Sequence, residues 1–420
     1  MSRTIAVVGA GAAGCMAALS AAMNRPAADT RILLLESSSR IGAKIRVTGN
    51  GRCNLSNLEI LPEHYFSVGS SDPMPVFRKF SPQELRTFFE ERGVFLHNRG
   101  KLIYPLTDRA ETIAGLFERE LEKEKVQILT DTRIRGIRTE ETGYVLRAED
   151  GREFREECVI LSCGGLAGRN LGCEGDGYEL AGQMGLTATA CFPALTYLKT
   201  DCAGLTAADG VRCTAAVSLY DGTEKVREEA GELQLTRRGL SGIVIFQLSH
   251  PAAALIRKSR ETFVVIDFAP EVSREQLLRQ IRERMKRVPD ENPMLSELFF
   301  GMIHPGAAAM IIRSAGQVEE RRARKLHPQE LEDLLMQIKS FRVRITGTGG
   351  YEDAQVTAGG ISLCDLTENL EAVSRKGLYL CGELLDVDGL CGGYNLTFAM
   401  CSGAVCGRAA AQASDERSAL

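Results

Sequence analysis

The stretch "TIAVVGAGAAGCMAALSAAM", Thr4 to Met23, sets a β-branched run before three glycines and a tail of small residues. This order predicts a strand over Ile5 to Val8, a turn "GAGAAG" and a helix. A second apolar run, "RILLLE", follows and ends at Glu36. Taken alone, the first stretch has the composition of a secretory signal, since it follows Arg3 and carries no charge. A signal has no use for glycines at 9, 11 and 14, nor for a second buried run behind them. The expected fold is therefore α/β, a Rossmann-like dinucleotide-binding domain. Gly9 makes the turn, Gly11 admits a pyrophosphate to the backbone, and Gly14 lets the helix lie close to the sheet. Ala12 and Ala13 complete the turn, and the helix N-terminus offers unpaired N–H groups to the phosphates.

Glu36 ends the second strand, where a carboxylate accepts hydrogen bonds from a ribose diol and repels a 2′-phosphate. FAD and NAD both contain that ADP unit. The segment that separates them is "IGAKIRVTGNGRCNLSN", residues 41 to 57, with three glycines, two arginines, a lysine and three asparagines. Such density of glycine and donor groups behind the ribose-binding strand points to close approach of a second, long ligand part. The expected cofactor is FAD, with Lys44, Gly51, Arg52, Cys53 and Asn54 as contacts.

The other end of the chain carries "DVDGLCGGYN" before an apolar, uncharged run. Each glycine inside a helix costs about 1 kcal/mol relative to alanine. At a helix start, Gly392 and Gly393 instead bare the backbone amides. Pointed at a reduced flavin, that N-terminus stabilises the ring's negative charge, with Tyr394 and Asn395 beside it.

Composition excludes other classes. With 51 basic and 55 acidic residues the formal net charge is −4, so no global field favours nucleic acid and a small-molecule substrate is expected. Thirteen cysteines show no CxxC pair and no histidine cluster, which predicts reduced thiols, no metal site and a cytoplasmic location. No segment predicts a membrane span, and no feature fixes an oligomeric state.

The GxGxxG turn with Glu36, "GNGRCNLSN", "VTAGGI" (356 to 361) and "GELLDVDGLCGGYN" (382 to 395) together resemble the BaiN-like, aminoacetone-oxidase-like family of bacterial FAD-dependent oxidoreductases. That family is distantly similar to the fumarate-reductase and glutathione-reductase flavoproteins. The resemblance spans nearly the whole chain. It implies that Glu383, with Gly382 at the end of strand 378–381, accepts ribityl hydroxyls. It also implies that "CVILSCGG", with Gly164 and Gly165, makes a second contact of sheet and cofactor. Gly175 and Gly177 are further candidates near the phosphates. Before its last strand the chain reads "NLEAVSRKG", which departs from the family's run, so no role is carried over there.

Between these ends, residues 78–93 and a segment begun near Asp108 predict helices, and residues 126–165 predict meander strands. From Cys191 short β-type runs appear ("TAAVSLY", "ELQLT", "IVIFQL", "TFVVIDF"), followed by helical stretches. The expected organisation is a discontinuous FAD domain, residues 1–190 and 341–420. A substrate domain is inserted at 191–340, β-rich over 191–270 and helical over 273–340. The basic runs 279–288 and 319–326 interleave acidic residues and predict solvated helix faces. In "LTRRGLSG", Arg237 or Arg238 is a candidate for an anionic substrate and Ser241 for a carbonyl. His97 and His304 are candidate proton donors.

Three activities follow. The first takes hydride from NADH or NADPH, bound transiently, and reduces a conjugated carbon–carbon double bond; the resemblance implies a steroid-like 3-oxo bile acid. Its candidate catalytic residues are Tyr104, Tyr394 and Arg52. The second, also from the resemblance, is oxidation of a small amine with release of hydrogen peroxide. The third is a flavin-bearing RNA-modification or interaction protein.

Overall fold

In the computed structural model, which describes residues 4–25, 30–287 and 293–413, the first strand β1 (Thr4–Val8) lies at the centre of a parallel sheet. Ile5, Ala6 and Val7 are completely buried, as a strand covered on both faces requires. The chain continues through α1 (Ala12–Asn24) into β2 (Arg31–Leu35), then β3 (Gln127–Leu129), β4 (Cys158–Leu161) and β5 (Leu378–Leu380). Sheet order is β5-β4-β1-β2-β3, with every neighbouring pair parallel. Both ends of the polypeptide thus build one sheet.

The closing helix, Tyr394–Gln412, packs on α1 through small residues. A Cβ added at Gly403 would stand 2.2 Å from the Ala13 carbonyl oxygen, and one at Gly407 would stand 2.1 Å from that of Ala17. Ser20 Oγ donates to the Ala404 carbonyl at 2.9 Å. The uncharged run of the last helix is therefore a backbone-to-backbone contact surface.

Two compact units divide the chain, residues 1–192 with 355–420, and residues 193–354. The second is built on a closed six-stranded antiparallel barrel. Its strands alternate: Ala215, Val217 and Leu219 face inward along Arg212–Asp221, and Phe341, Val343 and Ile345 face inward while Arg342 and Arg344 point out. Phe341–Thr348 pairs with Thr262–Asp267 and with Leu198–Thr200. That pairing corrects the boundary placed at 341, because the strand closes the barrel and the first unit resumes at 355.

Three further expectations change. "IVIFQL" is helical, Ile243–Arg257, because Val244, Ile245, Leu248 and Ala252 form one buried helical face against the barrel strands. Residues 78–93 are two helices, since Ser81 accepts the Glu84 amide and Pro82 occupies the first turn of Pro82–Glu91. The helix expected near Asp108 begins at Ala110. No disulfide joins the thirteen cysteines, and among the described residues no helix is long and apolar enough to cross a membrane. Residue 288 of the first basic run, residues 288–292 of the expected helical stretch, and residues 1–3, 26–29 and 414–420 of the expected FAD domain lie outside the described residues.

Candidate functional site

The first turn shows different surroundings at its three glycines. Gly9 has φ +97°, and a Cβ there would meet the Ser162 carbonyl oxygen at 2.7 Å, so only glycine fits. At Gly14 a Cβ would come within 1.8 Å of the Gly9 oxygen. Gly11 has nothing within 4 Å. No side chain caps the N-terminus of α1 there, which leaves its amides for a ligand. Glu36 is buried beside this opening: Oε2 accepts the Ala10 amide at 2.7 Å and Oε1 the Ser38 amide at 2.7 Å. The carboxylate is held in place, and its remaining lone pairs can accept a diol. An open glycine cradle, an uncapped helix start and an anchored acid fit the ADP part of FAD.

A second group joins distant segments. Lys44 Nζ contacts Glu383 Oε2 at 2.6 Å and the Ala167 carbonyl at 3.2 Å. Glu383 Oε1 accepts the Thr357 amide at 2.9 Å, and Thr357 Oγ1 accepts the amides of Leu166 and Ala167. Burial opposes the charge on Lys44, but the Glu383 carboxylate more than offsets it and holds the ammonium above its ordinary range. A side chain at Gly165 would strike Thr357 Oγ1 at 2.5 Å, one at Gly382 would strike Ala13 Cβ at 2.7 Å, and Gly164 lies beside Cys173. Gly175 and Gly177 face Leu166 and Leu384 instead of open space, so packing accounts for them.

The third group surrounds the start of the closing helix. Gly393 has φ +91°, and its Cβ would lie 2.5 Å from the Ser56 carbonyl oxygen. Asn54 bridges the Ser56 carbonyl (3.1 Å) and the Gly393 amide (3.3 Å), while Asn57 Nδ2 donates to Gly392 O at 3.0 Å. The glycine pair therefore also has a packing reason that sequence did not disclose. Asn395 folds back: its amide exchanges two bonds with Gly389 and reaches the Leu390 carbonyl, which pins the loop before the helix. Tyr394 is buried, with the His64 ring 4.8 Å away, and burial raises its phenol pKa.

Ser56–Asn57, Leu102–Pro105 and Leu96–Arg99 form a small antiparallel sheet beside this mouth. Leu102 and Tyr104 alternate onto one face; Leu102 would contact a Cβ on Gly392, and Tyr104 lies against Gly49 and feels Cys391. Burial pushes the Tyr104 phenol up, while Arg99 and Arg52 pull it down, with a net rise. Arg52 is exposed, at the rim of the Gly49–Cys53 loop, and carries no ion pair among the described residues. Cys53 is fully buried and its thiol is pushed up to about 12, so it is inert.

In the other unit, Arg237 is paired with Asp209, and Arg238 with Asp353 (2.5 Å) and the Tyr197 hydroxyl (3.0 Å). Their charges are already matched, which weakens the anion-binding expectation; Ser241 sits in the barrel strand Gly239–Ser241. His304 caps helix Pro305–Ser314 by accepting the Gly306 amide, a structural task. Sequence reasoning missed Thr357, Asn57, His64, Arg99 and Asp108. The quoted "VTAGGI" held a signal for Thr357 and "GNGRCNLSN" one for Asn57, whereas Asp108 was read only as the start of a helix.

The doubly covered parallel sheet, the glycine cradle and the late acidic strand end define a flavoprotein oxidoreductase that uses FAD. The chain belongs to the family described as "HI0933-like protein Rossmann domain", which matches residues 3–409. It is 37% identical to the 3-dehydro-bile acid delta(4,6)-reductase of Clostridium scindens, over 97% of this chain and 99% of that one. It is 29% identical to the ribosomal RNA dihydrouridine synthase of Escherichia coli, over 95% and 96%. Among solved structures, 3-ketosteroid delta1-dehydrogenase from Sterolibacterium denitrificans shares the fold, with a TM-score of 0.53 at 14% identity, covering 98% of this chain and 100% of that one.

Proposed function

We propose that FAD lies along the three groups, and that the protein reduces a carbon–carbon double bond conjugated with a carbonyl in a steroid-like substrate. In this reading Gly9 to Gly14 and Glu36 hold the ADP part, Lys44, Gly165 and Glu383 the ribityl chain, and the Asn54–Gly393 mouth the ring. FAD held by these residues would supply, once reduced by transiently bound NADH or NADPH, the hydride that the substrate's β-carbon needs. The π pair then moves to the α-carbon, which takes a proton from the Tyr104 hydroxyl; water returns a proton to the phenolate. The observation that carries the reading is the placement of Tyr104, a phenol kept protonated at neutral pH, on the face turned toward Cys391–Gly393. The steroid-like substrate is supported by the bile acid reductase relative.

A second reading is favoured by the ribosomal RNA dihydrouridine synthase relatives. Dihydrouridine is a uracil whose double bond, conjugated with a ring carbonyl, has been reduced, so the same proton and hydride addition serves both. One anaerobic experiment separates them. The purified yellow protein is bleached with NADH or NADPH, then offered 3-oxo steroids with one or two conjugated double bonds, or unmodified ribosomal RNA. Recovery of colour with the steroids alone is the expected result. Recovery with RNA alone moves the assignment to the second reading, and bleaching by an amine with peroxide release in air moves it to an oxidase. A colourless protein unable to take up FAD sinks all three.

A further inference from the structure

Asp108 lies two residues before a helix and does not cap it. Aspartate is among the favoured N-caps, yet Ala110–Lys123 begins from Arg109 with no side-chain cap. Asp108 instead takes φ +51°, with its amide donating to the Pro105 carbonyl at 2.8 Å. An aspartate tolerates this left-handed conformation only at some cost in strain. What it gains is two partners on the neighbouring strand: Oδ1 lies 3.0 Å from His97 Nε2, and Oδ2 accepts from the Arg99 guanidinium. Arg99 in turn lies over the Tyr104 ring, 5.5 Å from its centroid. His97 is the register partner of Tyr104 across the strand pair, with ring centroids 6.1 Å apart.

We propose that Asp108 is a positioning residue for Tyr104: freed from the helix cap, its carboxylate clamps Arg99 over the phenol ring and fixes His97 beside it. The catalytic consequence rests on the reading of Tyr104 as the proton donor; the clamp itself does not. The charged and titratable groups acting on the phenol are Arg99, Cys391, Arg52 and Asp108, with burial the largest influence and Arg99 next. Arg99 side chain is partly exposed, so without its carboxylate it is free to swing into solvent. Tyr104 then loses the cation that pulls hardest on its phenol.

The test uses the flavin-loaded protein and reads Tyr104 by near-ultraviolet phenolate absorbance, each variant being compared with the same variant carrying Tyr104→Phe. Circular dichroism confirms a retained fold at each pH. Asp108→Asn keeps the shape and tolerance of the left-handed backbone but removes the charge. Both Asp108→Asn and Arg99→Gln are expected to raise the Tyr104 titration midpoint, since in Asp108→Asn the lost pull of Arg99 outweighs the smaller direct push of the aspartate charge, and the double variant is expected to raise it no further than Arg99→Gln alone, the signature of action through Arg99. A midpoint unchanged or lowered in Asp108→Asn overturns the proposal, as does an additive double variant. In turnover, Asp108→Asn is expected to lower kcat about tenfold without changing KM, a fraction of what a general acid contributes. Loss of kcat with no movement of the midpoint marks a merely structural residue and also overturns the clamp. Full enone reduction by Tyr104→Phe would remove the proton-donor reading while leaving the titration result standing.

Discussion

At the scale of single residues, Tyr104 gathers influences that no local sequence pattern expresses. Its own strand supplies the direction, the adjacent strand supplies His97 and Arg99, and the glycine loop supplies Arg52. Tyr104→Phe is expected to lower kcat for enone reduction by ~10²-fold or more, the usual contribution of a positioned acid, with the flavin spectrum unchanged. The pH profile follows from the direction of the shift. A donor is active while protonated, and burial moves this phenol above its ordinary value. The wild-type rate should therefore hold through neutral pH and fall only above roughly pH 10, the range of an unperturbed tyrosine. That alkaline limb should vanish in Tyr104→Phe; a limb that persists there belongs to another group. The sequence displayed the tyrosine and Arg52 but neither Arg99 nor the role of Asp108, since an aspartate before a helix reads as a helix start. Only the turn's backbone reveals that the carboxylate faces the other way.

At the scale of elements, legibility followed how far each pattern depends on its neighbours. β1 and β2 read correctly because a strand covered on both faces is a run of apolar residues wherever it sits. "IVIFQLSHPAAALI" misled because its β-branched opening suits a strand, whereas burial of Val244, Ile245, Leu248 and Ala252 against the barrel overrides propensity. The closing helix lies between these cases: its apolar character was plain, but the role of "CSGAVCG" required α1 beside it. Gly407 has ordinary helical φ, so Gly407→Ala adds only a methyl, directed at the Ala17 carbonyl 2.1 Å away. Overpacking of this kind costs about 1–3 kcal/mol. The melting temperature should fall by roughly 2–4 °C for each kcal/mol, and FAD uptake should weaken because α1 carries the glycine cradle. A variant as stable as the parent would show that the two helices can separate freely, contrary to the contact described.

At the scale of the whole molecule, the chain returns after more than two hundred residues to complete the sheet with which it began. β4 lies between the first strand and β5, so the cradle at Gly9–Gly14 and the acid at Glu383 are brought to the same edge by topology rather than by nearness in sequence. The matching glycine-rich segments at both ends made this return readable. The insert's exact limit was not, because Phe341–Thr348 has the same alternating pattern whichever sheet it joins. The separate cores of the two units make a sharp demand on FAD binding. A ligand that binds only the native state at a hundred times its Kd stabilises it by about 2.7 kcal/mol, or about a hundredfold in an opening equilibrium. Added to apoprotein, FAD should slow amide exchange by up to that factor in peptides covering Ile5–Leu35 and Leu378–Phe398 together. Barrel peptides covering Arg212–Thr236 should exchange at their former rate. Protection confined to the N-terminal peptides would detach the closing helix from the cofactor and leave only a nucleotide cradle in place of a flavin site.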